Sequence, residues 1–106
     1  MAPKRLSDHR HTFQFPIGAL VFSEGIDRAM RECGLDPFPQ FRRHARADWG
    51  DVTDEQWQAN NAALLSGGGL ESLYVVHREL SIRIVTEADR SATYITLTSE
   101  PIPDRA

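Results

Sequence analysis

Two stretches of this sequence carry side chains that could do chemistry. In the first, Asp48 follows His44 at i+4. A histidine with a carboxylate partner is a usual general base, or else a structural ion pair. The second is Thr86-Glu87-Ala88-Asp89-Arg90-Ser91-Ala92-Thr93, a dense polar knot that follows directly on a strand-like apolar run. With His44 as base, Asp48 or Glu87 would orient it. Arg90 would hold an anion such as a phosphoryl oxygen, which suits hydrolysis or transfer on a nucleotide or phosphodiester. His44, Asp48, Glu87 and Asp89 also offer the carboxylate-plus-imidazole set of a hard divalent ion. Arg90 in the same cluster argues against it, so neither metal nor cofactor is predicted. Trp49, Asn60, Thr86, Ser91 and Thr93 complete the candidate ligand-binding set. The competing expectation is a purely internal network. Arg90 would be bidentate to Asp48 or Asp89, His44 would bond a carboxylate, and Asn60 would hold loop carbonyls.

The elements that would position these groups are legible in part. Phe13 to Phe22 is apolar but contains Pro16 and Gly18, so it reads as an edge strand or two short extended pieces, best at Ala19 to Phe22. Ser23 caps a helix whose Ile26, Ala29, Met30 and Cys33 share one face. Gly34 suits its left-handed end, with Leu35 folding back onto Met30. Cys33 on that stripe predicts a buried, inert thiol. Asp36-Pro37 opens a second helix with Phe38, Phe41 and Ala45 on one face. His44 lies at the border of that stripe, about 60° from Phe41 on the helical wheel. Trp49 is expected to plug the core from the following loop, its indole N–H needing an acceptor. Thr53 and Gln56 form a capping box and Val52 with Trp57 a hydrophobic staple. The third helix then runs to about Leu65 and stops at Gly67-Gly68-Gly69. Asn60 and Asn61 flank its inward stripe of Trp57 and Leu64, so at least one amide must be specifically paired. The triple glycine follows a helix and lacks the Lys-Ser/Thr step, so it is no phosphate loop.

From Leu70 the period changes to two. Leu70 to His77 is apolar on both faces, as in a central strand. Leu80 to Glu87 and Ala92 to Leu97 alternate, joined by turns at His77-Arg78-Glu79 and Ala88 to Ser91. The fold class is therefore α+β: a small antiparallel sheet, made of a three-stranded C-terminal meander plus the N-terminal strand, covered on one face by about three helices.

At 106 residues the chain predicts one domain over 13–98, a disordered basic arm over 1–12 and a disordered tail over 99–106. The arm holds Lys4, Arg5, His9, Arg10 and His11, and its histidines read as solvated. The net charge of −3 excludes a strongly basic nucleic-acid footprint. It leaves open a local patch of Arg42, Arg43 and Arg46 with the arm, which could contact a host protein or a nucleic acid. One cysteine excludes an internal disulfide and a multi-cysteine metal site. No apolar run reaches membrane-spanning length and the first residues lack a signal-peptide core, so a cytoplasmic protein without membrane contact is expected. A homodimer through a sheet edge is a further expectation.

Phe15-Pro16-Ile17-Gly18, Arg43-His44, Asp48-Trp49-Gly50-Asp51, Gln58-Ala59-Asn60, Leu70 to Tyr74 and Thr86 to Thr93 occur here in an order that resembles a widespread family of small bacterial proteins. These are often labelled plasmid-related proteins, and sometimes a restriction-enzyme subunit. The resemblance spans roughly residues 13 to 98, and Asp-Trp-Gly and Thr-Glu-Ala-Asp-Arg-Ser are its specific parts. This chain departs at Ala47, where glycine is expected, at Trp57, a polar place in the family, and in a strand turn without glycine. The resemblance implies carriage on mobile elements and bacterial chromosomes and supplies no activity or partner. The functional expectation is a binding or regulatory accessory module, for which inhibition of a host defence complex is one setting. The alternative is a small hydrolase, or a nucleotide- or phosphodiester-binding enzyme, that uses His44, Asp48, Glu87, Asp89 and Arg90.

Overall fold

The computed structural model describes residues 13–101. The basic arm expected over 1–12 and the end of the C-terminal tail lie outside the described residues. Strand β1 (Ala19–Phe22) leads into three helices, α1 (Glu24–Cys33), α2 (Phe38–Ala45) and α3 (Asp54–Ser66). Strands β2 (Leu70–His77), β3 (Leu80–Thr86) and β4 (Ala92–Leu97) follow. The sheet order is β1-β4-β3-β2. The C-terminal strands form the antiparallel meander, but β1 lies parallel to β4, in register from Ala19 opposite Ala92 to Phe22 opposite Ile95. The sheet is thus mixed, because the chain crosses over through all three helices before β1 finds its neighbour.

Local signals account for the helices. Ser23 Oγ accepts the Ile26 N–H at 3.1 Å, and Gly34, with φ 70°, lets Leu35 N–H reach back to the Ala29 carbonyl at 3.2 Å. The Asp36 carboxylate accepts the Phe38 N–H at 3.0 Å. Thr53 Oγ1 accepts the Gln56 N–H at 3.1 Å, but the Gln56 amide turns to Asn60 instead of closing the capping box. Burial fades along α1, from Ile26 at 0% to an exposed Cys33 that lines a surface cleft beside Val76, His77 and Leu80. The buried thiol expected there is not found.

One sheet face packs the core. Leu70, Ser72 and Tyr74 of β2 stand beside Ile84 and Ile82 of β3, and these beside Thr93, Ile95 and Leu97 of β4. Trp49 and Ile26 close over them, both fully buried. Each large apolar side chain buried this way contributes about 1.5–3 kcal/mol.

β2 lies at an edge of the sheet, not in its centre as its two apolar faces suggest. Its outer main-chain edge is covered by the loop after α2, while Val75 on its second face stays 57% exposed. Gly50 bridges to Leu73, Leu73 N–H donates to the Trp49 carbonyl at 3.1 Å, and Asp51 N–H donates to the Leu73 carbonyl at 2.6 Å. A side chain at Gly50, with φ 77°, would collide with the Leu73 carbonyl. The β2–β3 turn manages without glycine through a bulge between Val75 and His77. Glu100, expected in the tail, instead caps α1. Its carboxylate accepts from Gly25 N–H at 2.8 Å, Leu97 N–H at 2.8 Å and Ser23 Oγ–H at 2.5 Å. Burial opposes this charge, but the bonds from Ser23, Leu97 and Gly25 hold the carboxyl below its usual range.

Candidate functional site

His44 sits in the last turn of α2 with its ring wholly buried. Asp48 does not reach it. Nδ1 lies 2.5 Å from Ser72 Oγ on β2, and Nε2 lies 2.9 Å from Thr86 Oγ1 on β3. Thr86 Oγ1 is 2.8 Å from Thr93 Oγ1 on β4, which in turn is 2.8 Å from the Ile17 carbonyl. The direction of this chain follows from counting protons. A carbonyl only accepts, so Thr93 spends its hydroxyl proton on Ile17. Thr86 therefore donates to Thr93, and His44 Nε2–H donates to Thr86. Burial, with the Arg90 charge as a lesser cause, pushes the ring pKa down to about 3, so the ring is neutral and Nδ1 is left to accept from Ser72.

A serine hydroxyl against an imidazole is also the spacing of a nucleophile and its base. Here Ser72, His44, Thr86 and Thr93 are all at 0% exposure, between the helices and the core face of the sheet. Phe15 closes the ring from one side, edge-on at 5.4 Å, and Trp49 from another at 5.5 Å. Neither His44 nor Ser72 is open to solvent. Three surface clefts lie elsewhere: one of about 240 Å³ at the β3–β4 end beside Ser81, and two of about 270 Å³ each, beside Gly69 and Glu71 and beside Cys33 and His77.

The remaining polar groups separate. Asp48 pairs with Arg43, Nε to Oδ2 at 2.9 Å and Nη2 to Oδ1 at 3.3 Å, and its Oδ1 also accepts the Gly50 N–H. The Arg43 bond holds the Asp48 carboxyl below its usual range. Arg43 also lies over the Tyr74 ring at 4.9 Å, and Tyr74 donates its hydroxyl to the Asp48 carbonyl at 2.6 Å. α2 ends before Asp48 because Ala47 takes a left-handed φ of 68°, which swings the carboxylate away from His44. This is the position where the family resemblance leads one to expect glycine.

Arg90 binds neither Asp48 nor Asp89. Its Nη1 donates to the carbonyls of Gly68 (2.7 Å), Glu87 (3.1 Å) and Ala88 (3.3 Å), and Nη2 donates to Ala63 at 3.3 Å. The guanidinium therefore supplies the cation at the C-terminus of α3, whose own last turn has none. It also lies over Phe15 at 5.6 Å. Arg90 itself is left-handed, φ 62°, a conformation that costs about 1–2 kcal/mol in a non-glycine residue. Asp89 accepts the Ser91 N–H at 2.9 Å within the turn, and bonding to Ser91 lowers its carboxyl pKa. Glu87 contributes main-chain bonds, to Ala92 and Arg90.

Asn60 is fully buried and forked onto one strand residue: Nδ2 donates to the Glu71 carbonyl at 2.8 Å and Oδ1 accepts the Glu71 N–H at 3.1 Å. Trp49 donates its indole N–H to Asn61 Oδ1 at 3.0 Å. Asn60 is thus spent inside the fold, while Asn61, exposed, supplies the acceptor the buried indole needs. The basic patch is also reduced, since Arg43 is neutralised by Asp48 while Arg42 and Arg46 stay exposed.

His44, Thr86 and Thr93 are brought together, with Arg90 near them across Phe15. Asp48, Asp89, Glu87 and Asn60 each act elsewhere. Sequence reasoning did not place Ser72, Ile17 or Phe15 in this cluster, and it assigned Arg43 to a basic patch and not to Asp48. Ser72 had one visible signal, a serine at an inward position between Leu70 and Tyr74. Among the described residues no three His, Cys, Asp or Glu side chains gather as a metal-ligand set, and no helix is long and apolar enough to cross a membrane. Comparison with known proteins finds no match to this chain, whether among protein-family models, curated proteins or solved structures.

Proposed function

We propose that this chain is a non-catalytic binding module, a small accessory or regulatory factor whose partner is a protein. One observation carries the reading: the groups best suited to chemistry are spent inside the fold. His44 is neutral, buried and bonded at both ring nitrogens, and Arg90 is committed to four main-chain carbonyls. A protein partner is favoured over nucleic acid because the net charge is −3 and Asp48 neutralises the central arginine of the only basic cluster outside the arm. Carriage on a mobile element, with a host complex as target, fits the family resemblance.

The test has two arms. The wild type is screened for phosphoester and ester hydrolysis, for labelling by a serine-directed fluorophosphonate, and for melting shifts with nucleotides and divalent ions. No turnover, label or shift is expected. Turnover that His44→Ala abolishes in a folded protein, or a label on Ser72, overturns the reading. In the second arm a photo-crosslinking side chain replaces exposed Arg42 in expressing cells. A discrete protease-sensitive adduct is expected, and a nuclease-sensitive one would make the partner nucleic acid.

A further inference from the structure

The two edges of the sheet are treated differently. Along β2 every outward main-chain group from Glu71 to Val75 N–H is satisfied. Asn60 takes both groups of Glu71, Trp49 and Asp51 take those of Leu73, and Asp51 Oδ2 accepts the Val75 N–H at 3.0 Å. Along β1, Ala19 N–H and Ser23 N–H bond to the Ser91 and Ile95 carbonyls of the β4 side at 3.0 and 2.9 Å. Alternation then turns the N–H and C=O of Leu20 and Phe22 outward. Among the described residues nothing meets them. Natural sheets blunt such an edge with shortness, charge, proline or a bulge, and Ala19-Leu20-Val21-Phe22 has only its four-residue length to do so.

An apolar rim frames this open edge. Val21 is 37% exposed, Phe38 is 37% exposed against the Phe22 ring at 6.0 Å, and Phe13, 46% exposed, joins the same row through Phe41. We infer that the β1 edge is a dimerisation edge, on which a second copy of this chain adds its own β1 antiparallel, joining two four-stranded sheets into one. Register and charge point to this occupant. A two-fold axis at Val21 sets Leu20 opposite Phe22 of the second copy, and Phe22 opposite its Leu20. Both are hydrogen-bonded pairs, so all the outward groups of Leu20 and Phe22 are satisfied at once. Leu20 then meets phenylalanine on the helix side beside Phe38, and Val21 meets its own counterpart on the other face. Each chain carries a net −3, so self-association needs a neutral surface, and the side chains of this strand are all uncharged.

Sedimentation of the full chain over a roughly hundredfold concentration range reads the equilibrium. The wild type should pass from monomer to dimer. Val21→Lys, whose side chain points to solvent, places like charges face to face and should weaken the dimer about tenfold or more while circular dichroism stays native. In a Cys33→Ser background, Val21→Cys should form a disulfide-linked dimer under mild oxidation. Residues facing each other in a non-hydrogen-bonded pair lie about 4.5 Å apart at Cα, within bridging range. Val75→Cys, on the sealed side, should not. A wild type that stays monomeric throughout overturns the proposal, even if it captures an added extended peptide or its own first twelve residues. So does a dimer that Val21→Lys leaves intact and Val21→Cys fails to cross-link.

Discussion

Asn60 on α3 holds Glu71 on β2 by both main-chain groups, its side-chain amide standing in for a neighbouring strand. One buried polar residue thereby closes the first step of an edge whose open groups would otherwise template pairing with another chain. Asn60→Ala leaves two partly buried main-chain groups unbonded. It should cost about 2–4 kcal/mol, since each orphaned group costs about 1–3 kcal/mol. Urea unfolding should show this loss, with light scattering revealing aggregation the wild type lacks. Asn60→Leu, close in volume but apolar, should aggregate equally, because shape alone does not satisfy Glu71.

The His44 ring makes stability fall with acid earlier than carboxylates alone would. Its folded pKa, about 3, lies below its ordinary value of 6.5. The unfolded chain therefore takes up a proton that the folded chain refuses. Stability from this group is complete above the unfolded value and declines as pH drops from about 6.5 toward 3, by about 1.4 kcal/mol per unit over most of that span. Asp48, Asp89 and Glu100, all with lowered pKa values, add losses in the same direction only in the carboxylate range. Denaturant unfolding between pH 7 and 5 should slope downward in the wild type. His44→Gln, although less stable throughout, should be flat over that window.

Arg90 separates a backbone cost from a side-chain gain. Arg90→Ala removes the bonds to Ala63, Gly68, Glu87 and Ala88 but leaves a left-handed residue, and should lose about 2–3 kcal/mol. Arg90→Gly loses the same bonds and relieves the strain, recovering about 1 kcal/mol. Lysine cannot fork across the carbonyls and should restore only part of the loss. Thermal melts of the three variants give the order Lys, Gly, Ala or Gly, Lys, Ala; alanine above glycine would contradict the assignment.

Ala47 is the reverse case, a side chain with no hydrogen bond to offset its left-handed φ of 68°. Ala47→Gly should stabilise the chain by roughly 0.5–1 kcal/mol, with no change in the Arg43–Asp48 pair. A lower melting point would mean that the Ala47 methyl, packed against the core, outweighs the strain.

Where covalent neighbours decide, the sequence was sufficient. The Ser23 and Thr53 caps, the left-handed Gly34, the Trp49 plug and the period-two strands lie within a few residues of their causes. So the α+β class, the element order and the one-sided helical layer were legible. The tertiary structure decided the pairings between residues far apart in the chain. His44 finds Ser72 and Thr86 instead of Asp48, four residues away, because the left-handed Ala47 ends the helix and burial selects neutral hydroxyl partners over a charge. Arg90 finds the end of α3 instead of the adjacent Asp89, because carbonyls left open at a helix terminus need a donor more than an exposed carboxylate needs a cation. β2 reads as central and lies at an edge, since side chains record that a strand is covered and not whether a strand, a loop or an asparagine covers it.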